Sequence, residues 1–182
     1  MNFYDYYAAQ AKVYAFFPVD RTLEYTVIGL SGEIGELIEA CYEYALAGSN
    51  SAHTMDAWEA RRSEEGDAWW YLAAVLDAID TRFGYLCELV ALPEGPTERV
   101  TLDDIVVSFS KGLAAICGAS KKAIRDNQGF LTEAHRDRMI LGAMDIIYAL
   151  KALSIDYKAI MTANLNKLER RQREGRMKND GN

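Results

Sequence analysis

Two pairs of carboxylates stand at matching spacing: Glu33 and Glu36 in GLSGEIGELIEA, then Glu64 and Asp67 in EEGDAWWYLA. Residues three apart on a helix project from one face, so each pair presents two acids together. Leu30, Ile34, Leu37 and Cys41 make an apolar stripe beside the first pair, and Ala68, Leu72, Val75 and Ile79 make one beside the second. Packing the stripes together brings four carboxylates to the rim of a core. Four like charges repel, and a divalent cation relieves that repulsion. An all-oxygen donor set favours Mg²⁺, with Mn²⁺ as a substitute, over Zn²⁺. Either pair alone also suits a solvated face; the repetition at two apolar edges is what argues for a site.

A second chemistry lies near the C-terminus. NLNKLERRQREGRMKNDGN carries Lys167, Arg170, Arg171, Arg173, Arg176 and Lys178 against few acids. Lys167 and Arg171 share a helix face at i, i+4. In a chain with net charge −7, a local cationic face suits an anionic ligand such as a polyphosphate, and arginine's planar fork suits phosphate oxygens. A solvated basic tail is the alternative. Trp69, Trp70, Tyr71 and Tyr25 are candidates for stacking on a nucleobase, or else core residues. Other constellations fail. His53 and His135 lack the Glu three residues earlier that a di-iron carboxylate bundle needs. There is no GxxxxGK[ST] phosphate loop, and Gly29, Gly32 and Gly35 within a helical pattern read as close packing. Cys41, Cys87 and Cys117 fall in apolar stretches that do not suit a Cys–His nucleophile.

The elements that position these groups are helices. Apolar residues recur at helical spacing with no strand-like alternation, which predicts helices at about 2–16, 20–46, 54–90, 101–126, 130–153 and 155–174. Asp20 and Thr101 are N-cap candidates, the latter with Asp104 near a capping-box position. DNQG (126–129) reads as a turn. A chain of 182 residues, half apolar and poor in Gly and Pro, builds a core without disulfides and is not disordered. Its acidity argues against broad nucleic-acid binding. Three irregularly spaced cysteines read as reduced thiols, and no apolar run reaches a membrane span or a signal peptide, so the expectation is a soluble cytoplasmic protein.

The chain also shows a faded repeat. Gly29, Leu30, Gly35 and Ala40 reappear as Gly112, Leu113, Gly118 and Ala123, and Asp67 as Asp145. We therefore divide the chain into residues 1–92, which carry the acidic motif, and 97–182, a degenerate copy ending in the basic helix. The copy has Ile116, Ala119 and Gly142 where the first half has Glu33, Glu36 and Glu64, so it is expected to hold no metal.

YTVIGLSGEIGEL followed by EEGDAWWYLA resembles the MazG-like nucleoside triphosphate pyrophosphohydrolases, an all-α superfamily that includes dimeric dUTPases and dCTP pyrophosphatases. The family's signature is E-x-x-E, a loop, then E-x-x-D. The resemblance implies that Glu33, Glu36, Glu64 and Asp67 bind Mg²⁺; among these carboxylates Glu36 is our expected acceptor of the attacking water's proton. NLNKLERR is similar to an N-x-x-K-L-x-x-R pattern, which implies phosphate contact for Lys167 and Arg171 with Asn164 nearby. The expected fold is a MazG-like helical bundle whose two halves form a pseudo-dimer, with dimerisation of the whole chain left open. The expected reaction converts a (d)NTP into a nucleoside monophosphate and pyrophosphate; the alternative is a non-catalytic nucleotide- or partner-binding module. This chain departs from simple members in length, since the second half separates the two motifs.

Overall fold

The protein is described by a computed structural model over residues 6, 9, 21–48, 52–79, 100–154 and 156–175. Among these, the regular elements are all helices: α1 (Thr22–Leu46), α2 (Ala52–Ala78), α3 (Leu102–Asn127), α4 (Glu133–Leu153) and α5 (Tyr157–Arg173). Tyr6 and Ala9 are helical as well. The expected helix at 2–16 otherwise lies outside the described residues, as do Asp20, Cys87 and the continuation of the 54–90 helix past Ile79. No described helix is long and apolar enough to cross a membrane.

Helix ends follow local chemistry. Thr101 and Asp104 form the complete capping box at α3: the Thr101 hydroxyl accepts from the Asp104 N–H at 3.2 Å, and Asp104 accepts from the Thr101 N–H at 3.0 Å. Thr132 and His135 do the same for α4, and the Asp156 side chain accepts from the Ala159 N–H to cap α5. The α3–α4 turn depends on Gln128 and Gly129 at φ 54° and 90°, a left-handed stretch that the DNQG composition anticipates.

α1 and α2 form an antiparallel hairpin, with Gly29 against the Tyr71 ring at one end and Arg61 over the Tyr44 ring at the other. Leu30, Ile34, Leu37 and Cys41 of α1 are buried, as their period predicts. Gly29 is a true close-packing position, since a Cβ there would lie 2.1 Å from Tyr71. Gly32 and Gly35 are not; they face open space, which corrects the reading of all three as packing glycines.

α2 is the central helix. Ala68, Trp69, Trp70, Leu72, Ala73, Ala74, Val75 and Leu76 are all buried, so its C-terminal half is apolar nearly all round rather than striped, while its first half is largely exposed. It packs on α1, α4 and α5. Arg136 Nε donates to Ile79 O at 3.1 Å, and at the other end the Ser154 hydroxyl donates to buried Glu65 at 2.7 Å. Arg61 reinforces that end by donating to Leu153 O at 3.3 Å.

α3 and α4 form a second antiparallel hairpin that meets α1 through Ser31–Cys117 (3.5 Å) and Tyr42–Asp103 (3.4 Å). Gly112 and Gly142 bring α3 and α4 into backbone contact, with a Cβ on either only 2.6 Å from the other's carbonyl oxygen. Gly112 abuts Gly142 and Ile146, whereas the repeat alignment matches Tyr71, the neighbour of Gly29, with Ala149. The second crossing is thus slid by about one helical turn. Ile116 and Ala119 are buried, and Gly142 packs on Ala115 and Ile116, so these positions serve hydrocarbon packing.

Candidate metal and phosphate site

Glu33 on α1 and Glu64 and Asp67 on α2 converge, with one carboxylate oxygen from each within 4.8 Å of the others. Around octahedral Mg²⁺ opposite oxygens lie about 4.2 Å apart and neighbouring ones about 3 Å, so the three acids would draw together by up to about 2 Å to share one ion. The donor set is hard oxygen throughout, and it fits Mg²⁺ or Mn²⁺.

Crowding is visible in the acids' protonation. Burial, then the charges of Asp67, Glu36 and Glu64, push Glu33 up to about 7, against the opposing pull of Lys167. Glu64 is raised by burial, Asp67 and Glu36, while Lys167 and Arg171 lower it. The cluster is short of positive charge, the condition that a cation relieves.

Glu36 stands apart from the three. It is exposed and outside the 4.8 Å group, though near enough that its charge raises both Glu33 and Glu64. On a helix, i and i+3 share a face only approximately; Glu33 turns toward α2 while Glu36 looks to solvent at the rim. The expected four-carboxylate set is therefore three converging acids and one flanking acid.

α5 supplies the positive charge. It runs antiparallel to α2, with Tyr157 beside Trp69 (ring centroids 5.8 Å apart) and Asn164 against Gly66. This register sets Lys167 Nζ 2.5 and 2.7 Å from the two oxygens of Asp67 and 3.3 Å from the Ser63 hydroxyl. Arg171, one turn on, is exposed and its charge reaches Glu64. The basic helix thus serves the acidic cluster of its own chain.

Asn164 is not the open phosphate contact that the sequence motif implies. It is 4% exposed, and its Nδ2 donates to Asp67 Oδ1 at 2.7 Å. Its Oδ1 accepts from the fully buried Tyr6 hydroxyl at 3.0 Å. Asn164 and Tyr6 therefore aim Asp67 rather than touch a ligand. Gly66 makes room, since a Cβ there would sit 3.0 Å from the Asn164 Cβ. Tyr6 was not singled out in the sequence, where it is one of several tyrosines in an aromatic segment.

The stacking candidates divide. Trp69 and Trp70 are 0% and 5% exposed and belong to the core, so Trp70 offers no face to a base. Tyr71 is half-buried over Gly29, with Tyr25 at a centroid distance of 6.3 Å; burial raises its hydroxyl most, with Tyr25 and then the Glu33 charge adding to it. Tyr25 is 37% exposed. Tyr71 thus lies beside the acids, near Glu33 and Asp67. On the α5 side lies a residue the sequence reading missed: Trp58, half-buried, with the Arg62 guanidinium 4.6 Å above its ring. It lines a cavity of about 250 Å³ between α2 and α5, with Ser63, Ile160 and Lys167.

The arrangement combines three carboxylates able to hold a hard divalent cation, a lysine and an arginine able to take phosphate oxygens, a rim carboxylate, and an adjoining cavity. No protein-family model, no curated protein and no solved structure matches this chain, so a functional reading rests on these residues.

Proposed function

We propose that the protein is a Mg²⁺-dependent nucleoside triphosphate pyrophosphohydrolase, converting a (d)NTP and water into a nucleoside monophosphate and pyrophosphate. The observation that carries this reading is the convergence of Glu33, Glu64 and Asp67 with Lys167 and Arg171 beside them on a separate helix. Hard anionic donors next to cations suit a metal–polyphosphate ligand, in which both charges are complemented at once. The resemblance of the E-x-x-E and E-x-x-D segments to MazG-like enzymes supports the same conclusion.

Glu33, Glu64 and Asp67 would hold Mg²⁺, which when bound neutralises phosphate charge and favours attack at phosphorus. Lys167 turns from Asp67 to the phosphate chain, and Arg171 takes the outer phosphate oxygens. Asn164 and Tyr6 keep Asp67 in place as Lys167 leaves. Glu36, exposed at the rim, accepts the proton of the attacking water at the α-phosphorus. The α3–α4 hairpin acts as a copy of α1–α2 that has exchanged its acids for packing residues, giving a pseudo-dimer with one working half.

One observation favours a non-catalytic binding module instead: Lys167 already pairs with Asp67, so the acids have a counter-charge without any ion. The two readings separate in one assay. The full chain is incubated with Mg²⁺ and each of the eight common (d)NTPs, and pyrophosphate is measured apart from orthophosphate. Pyrophosphate release with at least one substrate, abolished by EDTA, is expected. No release with any at micromolar protein supports the module.

A further inference from the structure

The cavity between α2 and α5 shares only Lys167 and Asn164 with the chemistry above, and its composition differs from that of the acidic cluster. From α2 it is lined by Trp58, with Arg62 stacked on it, and by Glu59 and Ser63; from α5 it is lined by Ile160, Ala163, Asn164 and Lys167. Trp58 is the sole tryptophan of the sequence's three that is not in the core. An indole half-open to a groove and covered by a guanidinium is a surface on which a planar, electron-poor ring can stack.

We propose that this groove holds the nucleobase of the nucleotide whose phosphates reach the acids, with Trp58 as the stacking residue. The proposal rests on the phosphohydrolase reading and adds the location of the base. Continuity carries it: Lys167 lines the groove and simultaneously touches Asp67, so a ligand in the groove and a ligand at the acids share that lysine. Trp58 and Asp67 are nine residues apart on one helix, or about 13 Å along its axis, the length scale of an extended nucleoside triphosphate. The volume of about 250 Å³ falls just below the roughly 300–1,000 Å³ of drug-sized pockets. It suits a base with its sugar and leaves the phosphates outside, over Lys167. Ring faces of every base can stack, so Trp58 contributes affinity rather than choice of base.

The test separates base from phosphate. The full-length protein in EDTA is titrated with the four deoxynucleoside monophosphates and, separately, with inorganic tripolyphosphate, following tryptophan fluorescence. Nucleotides are expected to quench and tripolyphosphate is not, because Trp69 and Trp70 are buried away from the groove. Trp58→Leu, and Ala163→Phe on α5 at an exposed position, should each weaken nucleotide binding about tenfold or more, as lost stacking does. Both should leave tripolyphosphate affinity in millimolar Mg²⁺ unchanged, measured by calorimetry on variants whose circular dichroism matches wild type. Unchanged nucleotide affinity in both variants, or no quenching by any nucleotide at millimolar concentration, overturns the base groove. Quenching without pyrophosphate release in the Mg²⁺ assay keeps the groove and removes the hydrolase reading. Pyrophosphate release with an unaltered KM in both variants does the reverse.

Discussion

Lys167→Met isolates the electrostatics on which the site depends. Lys167 Nζ contacts both Asp67 oxygens at 2.5 and 2.7 Å, and each side chain is about one-fifth exposed (19% and 21%). At an effective dielectric constant of about 20, the gross attraction at this separation is about 6 kcal/mol. Most of it is offset by desolvation and side-chain ordering; exposed ion pairs retain about 0.2–1 kcal/mol and charged hydrogen bonds about 1.5–3 kcal/mol. A net loss of about 1–2 kcal/mol follows, since this pair lies between those cases. For a chain of this size that corresponds to a Tm lower by about 2–8 °C. The carboxylates left behind also bind a cation more readily, so Mg²⁺ should stabilise the variant more than wild type through linkage. Thermal unfolding of both proteins in EDTA and in millimolar Mg²⁺ measures this. The reasoning is refuted if Lys167→Met unfolds at the wild-type temperature in EDTA, or if Mg²⁺ raises both proteins equally.

Further predictions concern protons, aim and the division between halves. Glu33 and Glu65, each raised mainly by burial from 4.5 to about 7, keep protons in the fold that the unfolded chain releases. Between about pH 4.5 and 7 the folded state therefore binds more protons, and stability in EDTA should fall as pH rises across that window. Glu65→Gln should flatten part of that slope in a Tm-versus-pH series, and an unchanged slope would count against Glu65 being protonated. Tyr6→Phe removes the hydroxyl that holds Asn164, and should reduce Mg²⁺ affinity severalfold by calorimetry with little change in helix content; equal affinity would make Tyr6 a packing residue only. Asp145→Asn should leave Mg²⁺ binding and turnover near wild type, whereas Asp67→Asn should remove both. Equal damage from the two substitutions would mean the second hairpin carries a working site.

The sequence discloses those features that one helix decides for itself. The α1 stripe of Leu30, Ile34, Leu37 and Cys41 and the Thr101–Asp104 capping box are local patterns, and they appear where period and cap chemistry require. The pairing of Glu33 with Glu64 and Asp67 is also legible, because two amphipathic helices joined by a short loop have one plausible way to meet. Features that depend on a third helix are not. From Ala68 to Leu76 α2 is buried on nearly every side, so the local pattern there has no polar face to show that Trp70 points inward, whereas Trp58 sits in the more exposed first half of the helix. Asn164 looks like a polar ligand residue until α5 is seen to press it onto Gly66, where it becomes a brace for Asp67. The rim position of Glu36 reflects the rotation of α1, which i, i+3 spacing leaves undetermined by tens of degrees.

Hydrolysis in H₂¹⁸O with Mg²⁺, using whichever triphosphate the eight-substrate screen selects, tests attack at the α-phosphorus by a Glu33–Glu64–Asp67 site most directly. Mass analysis of the products should find one ¹⁸O in the nucleoside monophosphate and none in the pyrophosphate, with both products absent for Asp67→Asn. Label in the pyrophosphate, orthophosphate as the released anion, or undiminished turnover by Asp67→Asn would contradict the account.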